Sequence, residues 1–421
     1  MGGNPRPPQV LRGGLYVRLK ASRPGRRLRL RHTLRALHKR EQAVARSRPG
    51  QVVTAPRLWQ RCLFVPLASM AHRFRHALVW LRSFLLPVPS AILEVDPAQF
   101  LVVGHRGACA SAVENTIESC ERAVQIEGAD AVEIDLCVTR DEQVVLWHDW
   151  DPDTLVAWAR QAEAEMEVLC RPVVPPTGHP MRRPVCDLTL AEFRQHYGYA
   201  IIGEEHTVPV HLPVLAEVVR WARTKPQLKA VFLDCKVPPS HKALIMVVVA
   251  ALRREIEQEP IQTRFVFLTP YTEVLDLLRT VLPAAERSFD VEIPAGVFPH
   301  SAQLSAVAWA RASGNEWASI GRPLFTLGGW WLFRQTIRAD LALMREARAA
   351  TPPVPPTAYV CWTINRRREM RYLMRLGVSG LLTDYPTRLR RLRNRQLRQH
   401  ANRMARRARQ QARRGRHGIP E

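Results

Sequence analysis

The hydrophobic pattern changes character at Phe100. Before it, residues 1–33 show no apolar period, only GGNPRPP and scattered arginines, and are expected to be disordered. Thr33–Arg46 has helical composition with basic residues around it. Gln60–Leu86 places Leu, Phe, Val, Met and Trp on one side and Arg and His on the other. An interfacial amphipathic helix has that pattern. So does a helix that packs on a folded domain with its arginines in water.

After Phe100, short apolar runs alternate with longer helical stretches. Strands are predicted at Phe100–Gly104, Ala131–Cys137, Ala230–Cys235, Phe265–Leu268, Arg287–Val291, Trp317–Ile320, Ala358–Trp362 and Gly380–Leu382. Helices are predicted at Thr116–Glu127, Leu215–Thr224, His241–Glu257, Tyr271–Val281, Leu332–Ala349 and Arg367–Leu376. Repeated strand–helix alternation argues a parallel sheet. Eight units over about 285 residues fit a (β/α)8 TIM barrel. A doubly wound sheet is the rival, but His105-Arg106-Gly107-Ala108 is not the glycine-rich turn that follows its first strand. Asp151–Arg183, with a helical run at Leu155–Val168 among Pro-rich segments, breaks the alternation and is expected to rise over the catalytic face.

Charge sharpens the division. Residues 1–100 carry 19 Lys/Arg against 3 Asp/Glu, residues 386–421 carry 13 against 1, and the middle carries 30 against 34. The net charge of +24 thus sits on two basic arms around a slightly acidic core. The expected domains are a basic, partly disordered and amphipathic-helical extension (1–99), the barrel (100–388) and an Arg-rich helix or disordered tail (389–421). Cys62–Leu93 is cut by Arg73, Arg75, Arg82 and prolines, too interrupted for a span of roughly 20 apolar residues. No secretory pattern opens the chain. Its acid-free start leaves an organelle address open, although Gly and Pro in residues 2–9 oppose an amphipathic helix there. Eight cysteines without a CxxC pair suggest neither a zinc module nor a disulfide scaffold. The expectation is a cytoplasmic protein touching anionic membrane peripherally through residues 1–95.

The candidate chemistry lies at predicted strand ends. Glu133 and Asp135, two apart in Ala131-Val-Glu-Ile-Asp-Leu, share one face of an apolar strand. Buried carboxylates are costly unless paired, and a hard divalent metal is a natural partner. Asp234, in Val231-Phe-Leu-Asp-Cys-Lys, supplies a plausible third ligand. The bland alternative is internal salt bridges to Arg106 and Lys236. His105 ends the first strand and His148 follows Val144-Val-Leu-Trp. A lone histidine is more often structural, but a pair beside a metal site can activate a nucleophile and protonate a leaving oxygen. Arg106 offers a fork of donors for phosphate oxygens, and Lys236 a second cation to stabilise a pentacoordinate transition state.

Gly104-His-Arg-Gly-Ala, Glu114-Asn-Thr, Gly128-Ala-Asp-x-Val-Glu-x-Asp, His148-Asp149, Trp362-Thr-Ile-Asn and Gly377-Val-x-Gly-x-Leu-Thr-Asp-Tyr-Pro occur in that order. This series resembles the glycerophosphodiester phosphodiesterase family over about residues 100–390, with Asp187–Phe193 and Leu212–Val218 resembling its connecting segments. The resemblance implies a TIM barrel that hydrolyses a glycerophosphodiester to glycerol 3-phosphate and an alcohol with Mg²⁺ or Ca²⁺. It implies that His105 and His148 are the acid–base pair, that Glu133 and Asp135 bind metal, and that Arg106 and Lys236 hold phosphate. Trp362 would wall the glycerol pocket or simply fill the barrel core. Glu114 and Asn115 would shape the site, with Asn115 also readable as a helix N-cap.

The family usually has Glu-x-Lys where this chain has Asp234-x-Lys236. The related sphingomyelinase D-like branch typically carries Asp-x-Lys and acts on choline phospholipids or lysophospholipids, but its cysteine-bridged catalytic loop is missing here. Lysophospholipase D or sphingomyelinase D-like cleavage of membrane lipids is therefore the second enzymatic reading. A non-enzymatic reading makes the basic arms a lipid- or nucleic-acid-binding device on a barrel scaffold. With little aromatic interleaving and no reading motif, specific nucleic-acid recognition is not expected.

Overall fold

A computed structural model of the protein describes residues 98–164, 167–291, 305–322 and 329–416. The expectations for the first 97 residues, namely disorder, an amphipathic helix, membrane contact and an organelle address, lie outside the described residues.

In chain order the strands are β1 (Leu101–Gly104), β2 (Ala131–Val138), β3 (Val144–Leu146), β4 (Cys170–Val173), β5 (Gly198–Ile201), β6 (Ala230–Cys235), β7 (Arg264–Thr269), β8 (Glu286–Val291), β9 (Trp317–Gly321), β10 (Ala358–Trp362) and β11 (Gly380–Thr383). Parallel pairing runs from β2 through β6, β7, β8, β9, β10 and β11 to β1. The last strand pairs back onto the first, Val103 against Ala131 and Gly104 against Val132, so eight parallel strands close a barrel. All eight predicted strands are among them.

The helices are α1 (Ile117–Glu121, continued by a π turn over Arg122–Ile126), α2 (Leu155–Gln161), α3 (Leu190–His196), α4 (Leu215–Arg223), α5 (Lys242–Gln258), α6 (Thr272–Val281), α7 (Ala306–Ala312), α8 (Gly329–Ala349), α9 (Arg367–Leu376) and α10 (Pro386–Arg416). The α7 turn has no counterpart in the periodicity reading. Its run, Ala-Val-Ala-Trp-Ala-Arg-Ala, is only seven residues long, too short to show a 3.6-residue stripe.

Alternation along the strands sorts the two cores. Val132, Ile134 and Leu136 of β2 and Val231 and Leu233 of β6 face the helices. Ala131, Phe232, Leu101, Val103, Val266, Leu268, Trp317, Val360 and Leu382 fill the barrel interior. Stepping along the inward register from Ala131 reaches Glu133 and Asp135, and from Phe232 reaches Asp234. The strand period that seats the apolar plug also delivers the carboxylates to its C-terminal end.

Two segments depart from the simple barrel. Between β2 and β6, β3 pairs antiparallel with β2, and β4 and β5 make a separate antiparallel pair. This insertion is longer than the predicted Asp151–Arg183. It holds its own core of Trp147, Leu188, Phe193, Tyr197, Tyr199 and Leu212, with Trp147 edge-on to Phe193 at 5.4 Å. The basic C-terminal segment is helical to Arg416, and the helix runs unbroken across residues 388 and 389. Leu389 is buried, and Arg393 pairs with Asp130 and donates to Phe100 O at 3.2 Å, so the first turns of α10 complete the helix layer. No described helix is long and apolar enough to cross a membrane. The seven described cysteines are all free thiols.

Candidate active site

The turn after β1 sets the first group in place. Arg106 and Gly107 both have positive φ, at 50° and 85°, which reverses the chain sharply. A Cβ on Gly107 would lie 2.4 Å from Ser119 Oγ, so only glycine fits. Ser119 Oγ fixes the turn by donating to Arg106 O at 3.0 Å and accepting from Ala108 N at 2.8 Å. His105 is thereby aimed inward. Its Nδ1 lies 2.7 Å from Asp384 Oδ1, leaving Nε2 toward Glu133 Oε2 at 3.9 Å. Asp384 is itself held by Cys109 Sγ at 3.0 Å and Asn365 Nδ2 at 2.5 Å.

The second histidine repeats the arrangement. His148 Nδ1 lies 2.7 Å from Asp149 Oδ1. Asp149 accepts from Arg160 Nη1 at 2.8 Å, and Arg160 also grips Glu114. Glu114 in turn takes Arg106 Nη1 at 2.9 Å and Tyr199 OH at 3.3 Å. A buried chain of alternating charges thus ties the insertion to the first strand turn. Removing one partner from such a chain leaves a buried charge uncompensated, costing about 3–5 kcal/mol.

Asp135 and Asp234 are register partners on β2 and β6. One oxygen from each of Glu133, Asp135 and Asp234 falls within 4.8 Å of the others. Asp234 reaches this cluster despite lacking the methylene of glutamate. Lys236 Nζ bridges Asp234 Oδ2 at 2.6 Å and Asp135 Oδ1 at 3.1 Å, and Arg106 Nε stands 3.1 Å from Asp135 Oδ2. Both the metal-type cluster and the salt bridges foreseen as its alternative are therefore present together.

Of the ten residues singled out from sequence, seven line one cavity of about 260 Å³: His105, Arg106, Glu133, His148, Asp234, Lys236 and Trp362. Asp135 lies beneath it. Arg106 borders the cavity while its guanidinium is engaged by Glu114 and Asp135. Trp362 lines the cavity and packs on the interior core, with Nε1 donating to Asp290 Oδ1 at 2.7 Å. Asn115 is not the helix N-cap. Thr116 takes that place, accepting from Ser119 N at 3.0 Å. Asn115 instead adopts φ 55° and clasps Asp135, donating to Oδ2 at 2.9 Å and accepting its backbone N–H at 3.0 Å.

Four participants were not assigned roles from sequence. Asp149 and Asp384 stood in plain sight within quoted motifs; for Asp149 its place next to a candidate histidine was the available signal, whereas Asp384 meets His105 only when the last strand closes the barrel. Asp290 occupies the inward register of β8, where the buried-charge rule used for Glu133 applies equally. Arg160 had no signal, because only the insertion's folding brings it to Glu114.

Electrostatics separates the acids. Burial pushes the Glu133 carboxyl up to about 8, and the Asp135 charge adds to it. Burial would raise Asp135 too, but Lys236, His148, Arg106 and Asn115 hold it well below the usual carboxylate range. Burial and Arg106 would lower His105, yet the bond and charge of Asp384 leave it raised. His148 is lowered by burial, Arg106 and Lys236. Glu133 Oε1 is buried with no hydrogen-bond donor. An orphaned oxygen on a carboxyl pushed toward neutrality, flanked by two more carboxylates, fits a hard divalent cation.

Comparison with known proteins places this geometry. Residues 105–388 match the model of the glycerophosphoryl diester phosphodiesterase family. A lysophospholipase D of Homo sapiens is 24% identical over 340 residues, covering 73% of this chain and 90% of the relative. Its counterpart in Rattus norvegicus is 39% identical over 67 residues, 15% of this chain and 21% of the relative. The crystal structure of a putative glycerophosphoryl diester phosphodiesterase from Silicibacter pomeroyi superposes with a TM-score of 0.52 at 21% identity, covering 70% of this chain and 92% of that one, and shares the fold. The chain belongs to the glycerophosphoryl diester phosphodiesterase family of phosphoric diester hydrolases.

Proposed function

We propose that this chain hydrolyses a glycerophosphodiester to glycerol 3-phosphate and an alcohol, with His105 and His148 as the acid–base pair. The observation that carries the reading is the paired His–Asp geometry. Each imidazole has its Nδ1 tied to an aspartate at 2.7 Å, and both rings line the cavity above the acidic floor. Each Nε2 is thus kept for proton transfer with a fixed ring orientation. One imidazole removes a proton from the attacking water while the other delivers a proton to the leaving alkoxide. Glu133, Asp135 and Asp234 would hold one divalent cation, Mg²⁺ or Ca²⁺. Such a cation, when bound, polarises the phosphoryl oxygens and offsets developing negative charge. Lys236 adds fixed positive charge at the same edge, and Arg106 supports Asp135 from below. Trp362 offers a flat wall to the glycerol moiety.

A second reading, lysophospholipid cleavage to a lysophosphatidic acid, is favoured by the human relative's name and by apolar side chains at the cavity mouth. Glycerophosphocholine turnover with Mg²⁺ or Ca²⁺ tests the first reading. His105→Ala and His148→Ala are each expected to lower kcat/KM by about 10²–10⁴-fold. Undiminished turnover in both would sink the acid–base assignment.

A further inference from the structure

A second cavity, of about 520 Å³, shares no lining residue with the catalytic one. It is lined by Arg367, Arg388, Arg391, Leu392, Arg395 and Arg398. Arg367 is the first residue of α9, and the others belong to α10. Along α10 the four arginines recur at steps of three, four and three residues, so they share one face of the helix. Leu392, the apolar member, packs against the core behind the barrel wall. Five arginines from two helices therefore meet over one concavity.

Other arginines of this region are answered by acids. Arg393 pairs with Asp130, and Arg366, at the start of α9, stands 3.8 Å from Glu369. Among the described residues no carboxylate pairs with any of the five that line the cavity. Arg388 is nevertheless fixed. Its Nη1 donates to Asn365 O at 2.6 Å, and its guanidinium lies 3.8 Å from the Tyr385 ring centre. A run of charge is ordinarily a solvated face. Here the charges converge from two helices without a counter-charge, and an anion in the cavity relieves their mutual repulsion. Guanidinium forks match phosphoryl oxygens in shape as well as charge. The ten residues from Arg388 to Arg398 extend about 15 Å along the helix, more than one phosphate can bridge.

We infer that the cavity between α9 and α10 is a second, non-catalytic site that binds an anion carrying two or more phosphoryl groups, free in solution or on a lipid headgroup. The site stands apart from the reaction assigned to the barrel and does not depend on it. One phosphoryl group lies between Arg367 and the first turns of α10, and the next lies further along the arginine face.

The test is binding by the full chain without added divalent cation. Calorimetry uses orthophosphate and tripolyphosphate. Flotation uses phosphatidylcholine vesicles carrying a bisphosphorylated inositol lipid, against phosphatidylserine vesicles of equal charge. Tripolyphosphate is expected to bind about 10-fold or more tightly than orthophosphate. Arg391→Glu with Arg395→Glu should weaken it about 10²-fold. Arg403→Glu with Arg406→Glu makes the same charge change on the same helix outside the cavity and should weaken it less than about three-fold. All four side chains are exposed, so both double variants should keep the wild-type melting temperature. Binding of tripolyphosphate that the cavity variant loses supports the site with a free ligand. Capture by the inositol-lipid vesicles alone, lost in the same variant, supports it with a headgroup. Equal losses in the two double variants, or equal capture by phosphatidylserine vesicles, would overturn the site in favour of a diffuse basic surface that any polyanion, nucleic acid included, can cover. Tripolyphosphate binding no tighter than orthophosphate, or no binding of any probe, would overturn it as well.

Discussion

Glu133 and Asp340 are both buried acids, and burial pushes both upward, Glu133 to about 8 and Asp340 to about 7. Their surroundings differ. Asp340, on α8 behind the barrel wall, accepts from Ser305 Oγ at 2.5 Å and Tyr359 OH at 2.7 Å, and its carboxyl is bonded by the backbone at the start of α7. Both of its oxygens are satisfied by neutral donors. Glu133, inside the barrel, receives Arg106 N at 2.9 Å on one oxygen and nothing on the other. Two further carboxylates share its corner. A raised carboxyl alone therefore does not mark a site. An orphaned oxygen among like charges is what sets Glu133 apart, and it is where a bound cation would be accommodated.

The largest effect should come from the floor. Glu133→Gln removes a charge that a cation needs but keeps the shape, so kcat/KM should fall about 10³-fold, roughly 4 kcal/mol of transition-state stabilisation. Calorimetric titration with Mg²⁺ or Ca²⁺ should lose its binding isotherm in parallel. Wild-type cation affinity in that variant would erase the distinction between the two acids.

Asp340→Ala should do the reverse. It strands Ser305 and Tyr359 in the core, which costs about 1–3 kcal/mol for each group left unsatisfied. Chemical denaturation should report that loss, while kcat/KM measured well below the melting temperature stays within two-fold. A matching drop in activity would mean that α8 participates in the site.

The pH dependence of stability sharpens the contrast. A carboxyl whose folded value is raised releases its proton more readily in the unfolded chain. Its contribution is thus intact near pH 4 and is lost as pH rises through the folded value. Glu133, Asp290 and Asp340 together predict that the cation-free protein becomes less stable from about pH 4.5 to pH 8, by at most about 1.4 kcal/mol per pH unit for each proton. Divalent cation should remove Glu133's share throughout, so that the slope between pH 7 and pH 8 disappears and a shallower slope up to about pH 7 remains. Glu133→Gln should abolish the cation effect. A cation-independent slope through pH 8 would show that Glu133 is not where the cation binds.

Most of this architecture could be read from the chain because it obeys short-range rules. The β6 run Ala-Val-Phe-Leu-Asp-Cys announces a buried strand that ends in a charge, and the strand period alone puts Asp234 beside Asp135. Arg367–Leu376 was visible as a helix because its apolar stripe is regular and Gly377, at φ 90°, stops it. The insertion was only partly readable. Its core pairs Trp147 with Phe193 and Tyr199, residues far apart in sequence, and no local period encodes such contacts. Arg160 was invisible for the same reason. The alternative reading of Asn115 as the helix N-cap falls one residue short, since Asn and Thr are both good caps and only the left-handed φ of Asn115 separates them. The basic-arm reading as a substitute for catalysis loses its footing with family membership and an intact pair of His–Asp contacts, while residues 1–97 lie outside what the structure describes.

Asp290 tests the comparison from the middle. It projects inward from β8 like Glu133, and burial first, then Asp234, raise it to about 7. Yet it accepts from Trp362 Nε1 at 2.7 Å and from Ser319 Oγ, which are neutral donors like those on Asp340. If partners rather than location decide, Asp290 positions the tryptophan wall and takes no part in holding a cation. Asp290→Asn keeps an oxygen for the indole and removes the charge, so KM for glycerophosphocholine should move only two- to three-fold, about 0.5 kcal/mol, with kcat steady. Cation affinity should stay within two-fold, and the tryptophan fluorescence maximum should not shift. Asp290→Leu, which leaves the indole N–H without its acceptor, should raise KM further while still sparing the cation. A loss of cation affinity in Asp290→Asn comparable to that in Glu133→Gln would make location the deciding factor after all, and would extend the acidic floor across the barrel from β2 and β6 to β8.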